Sequence, residues 1–292
     1  MDRTYGELLK EGTRLLERAG AADAAIDAEL LLLHVTGQSR SSLFLHRNDS
    51  CTMEEKEFYT ELIRRRSAGE PVQYITGSQE FMGLEFRVGP PVLIPRQDTE
   101  TLVEQALEAA GGMTGDLRIL DMCCGSGAIA VSMAHFLPGA QVTACDISRA
   151  ALQMAAENAE RNGVAEQVEF LYSDMFSTFR KGKDSGREVF FDLILSNPPY
   201  IRTDVIPTLQ REIAEHEPAG ALDGGSDGLF FYRILADEAW QYLKKDGMLF
   251  MEIGHDQAEE VLSLLSSGGA YTDAGVIRDL AGRDRVVRCR RR

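Results

Sequence analysis

The run Arg118-Ile119-Leu120-Asp121-Met122-Cys123-Cys124-Gly125-Ser126-Gly127-Ala128-Ile129-Ala130 decides the fold. Its first five residues read as a buried strand, its two glycines as a turn that lets a ligand approach the backbone, and the residues after them as a helix running to 137. Working outward, strands are expected over 141–146, 167–172 and 189–196, with a helix over 148–162 between the first two. A second series follows: a helix over 227–243, a strand over 248–253, a helix over 256–266, and closing strands over 271–277 and 285–289. Regular alternation of this kind requires right-handed crossovers and gives an α/β doubly wound sheet. Ligands of such sheets sit at the carboxyl ends of the strands, so the residues just after each strand carry the chemistry.

Upstream of the sheet, apolar residues fall at helical spacing in three blocks: Leu8, Leu9, Leu15, Leu16; Ile26, Leu30, Leu31, Leu33; and Phe58, Leu62, Ile63. Residues 1–70 are read as a helical domain. Short alternating runs broken by Gly77, Gly83, Gly89, Pro90 and Pro91 make 71–97 a hairpin linker. Residues 98–292 form the α/β domain, opened by a helix that carries Leu102, Val103, Ala106 and Leu107 and is capped by Asp98 or Thr99.

The composition of the 292 residues, 44% hydrophobic and 26% charged, is that of a water-soluble globular protein, with no apolar run long enough to span a bilayer. The first residues, Met1-Asp2-Arg3, open an amphipathic pattern without the apolar core of a secretory signal, and a cytoplasmic location is expected. The five cysteines show no metal-binding spacing and are read as reduced thiols, with no metal site. A net charge of −15 repels polyanions, so no stable nucleic-acid partner is expected. The basic run Arg283, Arg285, Arg288, Arg290, Arg291, Arg292 is read as a solvated terminal strand in preference to an RNA-contacting arm.

Gly125-x-Gly127-x-x-Ala130 with Asp146 about 20 residues on also fits a dinucleotide fingerprint. Charge separates the two readings. From Ile119 through Phe136 the only formal charge is Asp121, which does not attract a pyrophosphate, whereas S-adenosylmethionine carries a sulfonium and an ammonium and no phosphate. Asp121, Asp146 and Asp174 then stand at three successive strand ends, with Asp146 placed to accept both ribose hydroxyls and Asp174 to accept an adenine amine.

The fourth strand runs into Asn197-Pro198-Pro199-Tyr200. Two prolines fix the backbone and remove two N–H donors, so the turn presents acceptors. A planar NH2 group can give one hydrogen to the Asn197 side chain and the other to the Pro198 carbonyl while Tyr200 stacks on its face. Those residue types activate an amide-type nitrogen without a nucleophilic or general-base side chain.

Residues across nearly the whole chain resemble the HemK/PrmC family, the N5-glutamine methyltransferases of class I peptide chain release factors. They include Pro71-Val-Gln-Tyr74-Ile-x-Gly77, Glu80-Phe81, Leu93-Ile-Pro95-Arg96-x-Asp98-Thr-Glu100, the glycine turn, Asp146-Ile-Ser148, Asn197-Pro-Pro-Tyr200-Ile201, Glu217-Pro218, the Ala221 to Leu229 segment, and Glu252-Ile-Gly254. The resemblance implies a class I S-adenosylmethionine-dependent methyltransferase, Rossmann-like with seven strands, behind a helical domain that docks the release factor. It implies cofactor contacts (with S-adenosylhomocysteine as product) from Cys123, Cys124, Gly125, Ser126, Gly127, Asp146, Asp174, Met175 and Asn197, which Asp121 joins on the charge argument above. The substrate glutamine of a Gly-Gly-Gln loop is then held by Asn197, Pro198, Pro199 and Tyr200. Because the Asn-Pro-Pro-Tyr element is shared with nucleic-acid amino-methyltransferases, methylation of adenine N6 or guanine N2 is the alternative. Cys123 stands where the family usually has a glycine, Gln97 where it has proline and Met175 where an aromatic is common; the extra thiol is expected to crowd the cofactor's methionine end.

Overall fold

The computed structural model describes residues 3–184 and 189–292. Met1 and Asp2, which open the N-terminal reading, and 185–188 lie outside the described residues. The elements run α1 (Tyr5–Ala19), α2 (Ala24–Thr36), α3 (Arg40–Leu45), α4 (Met53–Ser67), α5 (Val72–Thr76), β1 (Ser78–Phe81), β2 (Leu84–Arg87), α6 (Gln97–Gly111), β3 (Arg118–Met122), α7 (Ala128–Phe136), β4 (Gln141–Asp146), α8 (Arg149–Arg161), β5 (Val168–Tyr172), α9 (Ser177–Asp184), β6 (Phe191–Ser196), α10 (Arg211–His216), α11 (Phe230–Glu238), β7 (Leu243–Glu252), α12 (Ala258–Ser267), β8 (Tyr271–Arg278) and β9 (Asp284–Arg291). Two compact units divide the chain: Met1–Ser78 with Gln210–His216, and Gln79–Leu209 with Glu217–Arg292.

In the first unit, α1 and α4 each begin with a capping box, Thr4 with Glu7 and Thr52 with Glu55, which satisfies donors that a helix start leaves open. Leu8, Leu16, Leu31, Leu32, Tyr59, Leu62 and Ile63 form its core. Gly12 is there because a Cβ would lie 2.1 Å from the Tyr59 hydroxyl, so only glycine lets α1 approach α4. Buried Arg66 pairs with Asp27 of α2 at 2.7 Å and Glu212 of α10 at 2.6 Å, offsetting the cost of its own burial. Leu15, Ile26 and Phe58, which share the helical spacing, are exposed: their periodicity marks a helix, and their position on it falls outside the buried stripe.

In the second unit, seven strands form one sheet in the order β5-β4-β3-β6-β7-β9-β8, parallel except where β9 runs antiparallel to both neighbours. The unit is thus an α/β, Rossmann-like seven-stranded sheet, preceded in the chain by a small helical region. Alternate strand residues feed two cores, Ile119, Val142, Leu193 and Phe250 facing one that includes α6, α7 and α8, and Leu120, Ile194, Leu249 and Val287 facing one that includes α11 and α12. Burial on both faces explains why these strands read as continuous apolar runs.

Several local readings are corrected. Residues 72–76 are helical, so strand pairing starts later, at β1, and turns into β2 through Met82 and Gly83, both at positive φ. The Arg96 backbone precedes α6, and neither Asp98 nor Thr99 caps it; Asp98 instead pairs with Arg285 at 2.9 Å. The basic C-terminal run forms the expected strand but is only partly solvated, with Arg285 buried against Asp279 and Arg292 donating to the Tyr271 carbonyl. Helices α9 and α10 are additional to the elements expected from sequence. No described helix is long and apolar enough to cross a membrane.

Candidate active site

The carboxyl ends of β3, β4, β5 and β6 surround a cavity of about 370 Å3, within the usual size of a small-molecule site. The turn after β3 shapes its floor. Cys123, Gly125 and Gly127 all adopt positive φ (65°, 53° and 79°), so the backbone coils tightly and Gly127 becomes the N-cap of α7. A Cβ on Gly127 would sit 2.9 Å from that of Ala155, which makes glycine obligatory where α7 meets α8. Cys123 takes the left-handed conformation without glycine's freedom, at a cost of about 1–2 kcal/mol. Its Sγ rests 3.8 Å from Met175 Sδ, and burial pushes the thiol well above its ordinary pKa.

Asp146, closing β4, lines the cavity and is oriented by the backbone: Gly125 N–H donates to Oδ2 at 2.9 Å and Ser148 N–H to Oδ1 at 2.8 Å. Each oxygen keeps a lone pair for a ligand hydroxyl. Burial raises its pKa, opposed by those backbone donors. Asp174 and Met175 line the same cavity after β5, joined by Ile147 and by Val92 and Leu93 of the segment before α6. The one basic residue on the described wall is Arg96, and it is already paired with Glu217, which also accepts the Ile94 N–H at 3.2 Å. The wall is therefore acidic and apolar with no unpaired cation, and a ligand carrying positive charge and no phosphate fits it.

Asp121 is placed differently from expectation. Fully buried beneath the turn, it takes the Ala130 N–H on Oδ2 at 3.0 Å, while Oδ1 finds no hydrogen bond. It does not line the cavity, so its contribution is to fasten α7 and to supply negative potential from below. Burial first, and then the Asp146 charge, push its carboxyl up to about 7. Of the other residues singled out in sequence, Cys123, Cys124, Gly125, Ser126, Asp146, Asp174, Met175, Asn197 and Pro199 line the cavity, whereas Gly127, Pro198 and Tyr200 lie outside its wall.

The corner after β6 is held from behind by side chains distant in sequence. Asn197 Nδ2 donates to Thr99 Oγ1 at 3.2 Å, which leaves its Oδ1 as the free end of an amide on the cavity wall. The Tyr200 hydroxyl donates to Glu252 Oε1 at 3.2 Å, and the Tyr200 carbonyl accepts from Gln257 Nε2 at 3.0 Å. Ile201 pairs with the 222–224 segment, donating to the Leu222 carbonyl at 2.9 Å and accepting from Gly224 N–H at 2.8 Å. A Cβ on Gly228 would lie 2.5 Å from the Tyr200 oxygen, so the glycines of this segment let it press directly on the corner. Burial pushes the Glu252 carboxyl up to about 7 against the pull of Thr99, Arg285 and Tyr200.

Sequence reasoning missed the roles of Thr99, Glu217, Glu252 and Asn158. The last accepts the Arg87 N–H at 2.6 Å and donates to the Ser126 carbonyl at 2.9 Å, tying β2 to the glycine turn. Thr99, Glu217 and Glu252 do sit inside the segments quoted for the family resemblance, and that clustering was the available signal.

A family model for the PrmC N-terminal domain matches residues 7–77, and one for the methyltransferase small domain matches 97–226. The release factor glutamine methyltransferase of Agrobacterium fabrum is 40% identical over 293 residues, spanning 99% of this chain and 98% of that protein. That of Moorella thermoacetica is 42% identical over 289 residues, spanning 99% of both. Among solved structures, a release-factor-specific protein-(glutamine-N5) methyltransferase from Alicyclobacillus acidocaldarius is 33% identical, over 70% of this chain and 99% of that one, with a TM-score of 0.45. The SMU.776 structure, complexed with SAH, shares the fold at a TM-score of 0.50 and 12% identity, over 82% of this chain and 67% of that one.

Proposed function

The chain belongs to the release factor glutamine methyltransferase family, and from that premise we propose that it methylates the side-chain nitrogen (N5) of the glutamine in the Gly-Gly-Gln loop of a class I peptide chain release factor. S-adenosylmethionine, when bound, supplies an electrophilic methyl on a sulfonium. Asp146 would hold the ribose hydroxyls, Asp174 and Met175 the adenine, and the 123–127 turn the methionine end. The helical domain at 1–70 docks the release factor, 71–97 links it to the methyltransferase domain at 98–292, and the protein works in the cytoplasm.

An amide nitrogen is a weak nucleophile because its lone pair is delocalised into the carbonyl. The Asn197 Oδ1 and the Pro198 carbonyl accept its two hydrogens, which raises electron density on nitrogen and stabilises the positive charge that develops during attack. The proton leaves afterwards, once the alkylated nitrogen has become acidic. The observation that carries this reading is the Asn197 amide, tethered through Nδ2 to Thr99 so that its oxygen is left to the cavity. Tyr200 buttresses the corner through its hydroxyl on Glu252, and in this reading its ring stacks on the flat face of the substrate amide.

The test is transfer of labelled methyl from S-adenosylmethionine to purified release factor, with a Gln→Ala substitution in the Gly-Gly-Gln loop as control. Label on the unsubstituted factor alone is the expected result. Equal labelling of both removes the proposed target.

A further inference from the structure

An asparagine amide can present either its oxygen or its NH2 to a cavity, and the two choices are opposite in chemistry. What decides between them here is the hydroxyl of Thr99, which can itself donate or accept. If Thr99 gives its proton elsewhere, it can only accept from Asn197 Nδ2, and the Asn197 oxygen is forced outward. If Thr99 has no other acceptor, it can donate to the Asn197 oxygen and turn the amide round.

The neighbour on which the Thr99 hydroxyl acts is Glu252, at the end of β7 and 1% exposed, whose anion the threonine favours. Its Oε1 accepts from the Tyr200 hydroxyl, while Oε2 is buried without a hydrogen bond at ordinary geometry. A carboxylate only accepts, so it can absorb the Thr99 proton as well as that of Tyr200. Thr99 favours the Glu252 anion, and an orphaned buried oxygen is costly, so a small adjustment of either side chain brings the threonine proton onto the carboxylate.

Building on the function proposed above, we infer that Glu252 is a positioning residue, which fixes the hydrogen-bond direction Asn197 → Thr99 → Glu252 and thereby holds the Asn197 oxygen, and never its NH2, towards the substrate amide. Glu252 touches neither the cavity nor the reacting atoms; it acts two hydrogen bonds away. The same carboxylate fixes the Tyr200 hydroxyl, so one buried acid sets both side chains of the corner.

The groups around Glu252 agree with this role. Arg285 from β9 and Thr99 from α6 favour its anion, Asp98 from α6 opposes it, and Tyr232 of α11 donates to the Glu252 backbone carbonyl at 2.8 Å and not to its carboxyl. Desolvation is the largest influence and brings ionisation to about 7, so the relay is polarised above neutral pH and loses its acceptor-only end below it. A protonated carboxyl can donate back to Thr99, freeing the threonine proton to reach the Asn197 oxygen. Turnover therefore rises with pH along a limb centred near 7.

Glu252→Gln keeps size and shape but brings an NH2 that can donate to Thr99. Thr99→Val removes the relay from the other end, and Thr99→Ser restores it. Expected are kcat losses of about 10- to 100-fold for E252Q and T99V, the scale of a small misorientation at a reacting centre. SAH affinity by calorimetry stays near that of the unsubstituted protein, most of the kcat returns in T99S, and the limb near pH 7 is missing in E252Q. If E252Q does not fold, T99V against T99S decides the matter alone. Unchanged kcat with the limb intact in E252Q, or equal losses in T99V and T99S, overturns the relay. If instead Asn197→Ala turns over normally, the proposed function fails with it, so the two failures are told apart.

Discussion

The glycine turn at 123–127 and the corner at 197–200 both follow strands of one sheet at its carboxyl end, yet they are built by different means. The turn is made of backbone: positive φ angles, the Gly125 N–H on Asp146, and a glycine at 127 where a Cβ would collide with Ala155. The corner is made of side chains that arrive from α6, β7 and the approach to α12, namely Thr99, Glu252 and Gln257. A site that must accept a flexible cofactor can rest on local backbone shape. A site that must choose between the two ends of an amide needs an oriented polar network, and such a network is necessarily long-range.

That contrast can be broken from both sides. The largest effect is expected from Asn197→Ala, with turnover down by roughly 10²- to 10³-fold, the loss typical of one preorganised polar partner, while SAH binding remains measurable. Steady-state kinetics beside calorimetry read the split; normal turnover sinks the assigned role of Asn197. A smaller effect, and of the opposite kind, is expected from Gly127→Ala. A left-handed alanine 2.9 Å from the Ala155 Cβ costs about 2 kcal/mol, seen as a melting temperature lower by roughly 5 °C, together with weaker SAH binding. Should Gly127→Ala spare SAH binding and depress only kcat, the division between the two regions does not hold.

The same contrast explains what could be read from sequence. The sheet was legible because strands buried on both faces are written as apolar runs, and the glycine turn because the positive φ at Gly125 and Gly127 is a demand of each residue's own backbone. The Asn-Pro-Pro-Tyr corner was legible as a set of acceptors because prolines act on their own backbone. Its orientation was not, because Thr99 lies 98 residues from Asn197 and Glu252 lies 52 residues from Tyr200. Asp121 shows the converse: a carboxylate expected from its place in the chain to face the ligand is buried on the Ala130 N–H and is not part of the cavity wall. Cys123 shows a third case, in which a departure visible in sequence becomes interpretable only with its φ of 65° and its contact to Met175.

If the corner takes both hydrogens of the target NH2 with two fixed acceptors, a nitrogen that already carries a methyl has only one hydrogen left to offer and is no longer a substrate. Tandem mass spectrometry of a release factor after exhaustive reaction tests this most directly. A single methyl on the side-chain nitrogen of one glutamine is the result this geometry requires; efficient dimethylation of that nitrogen, or a methyl on a different side chain, contradicts it.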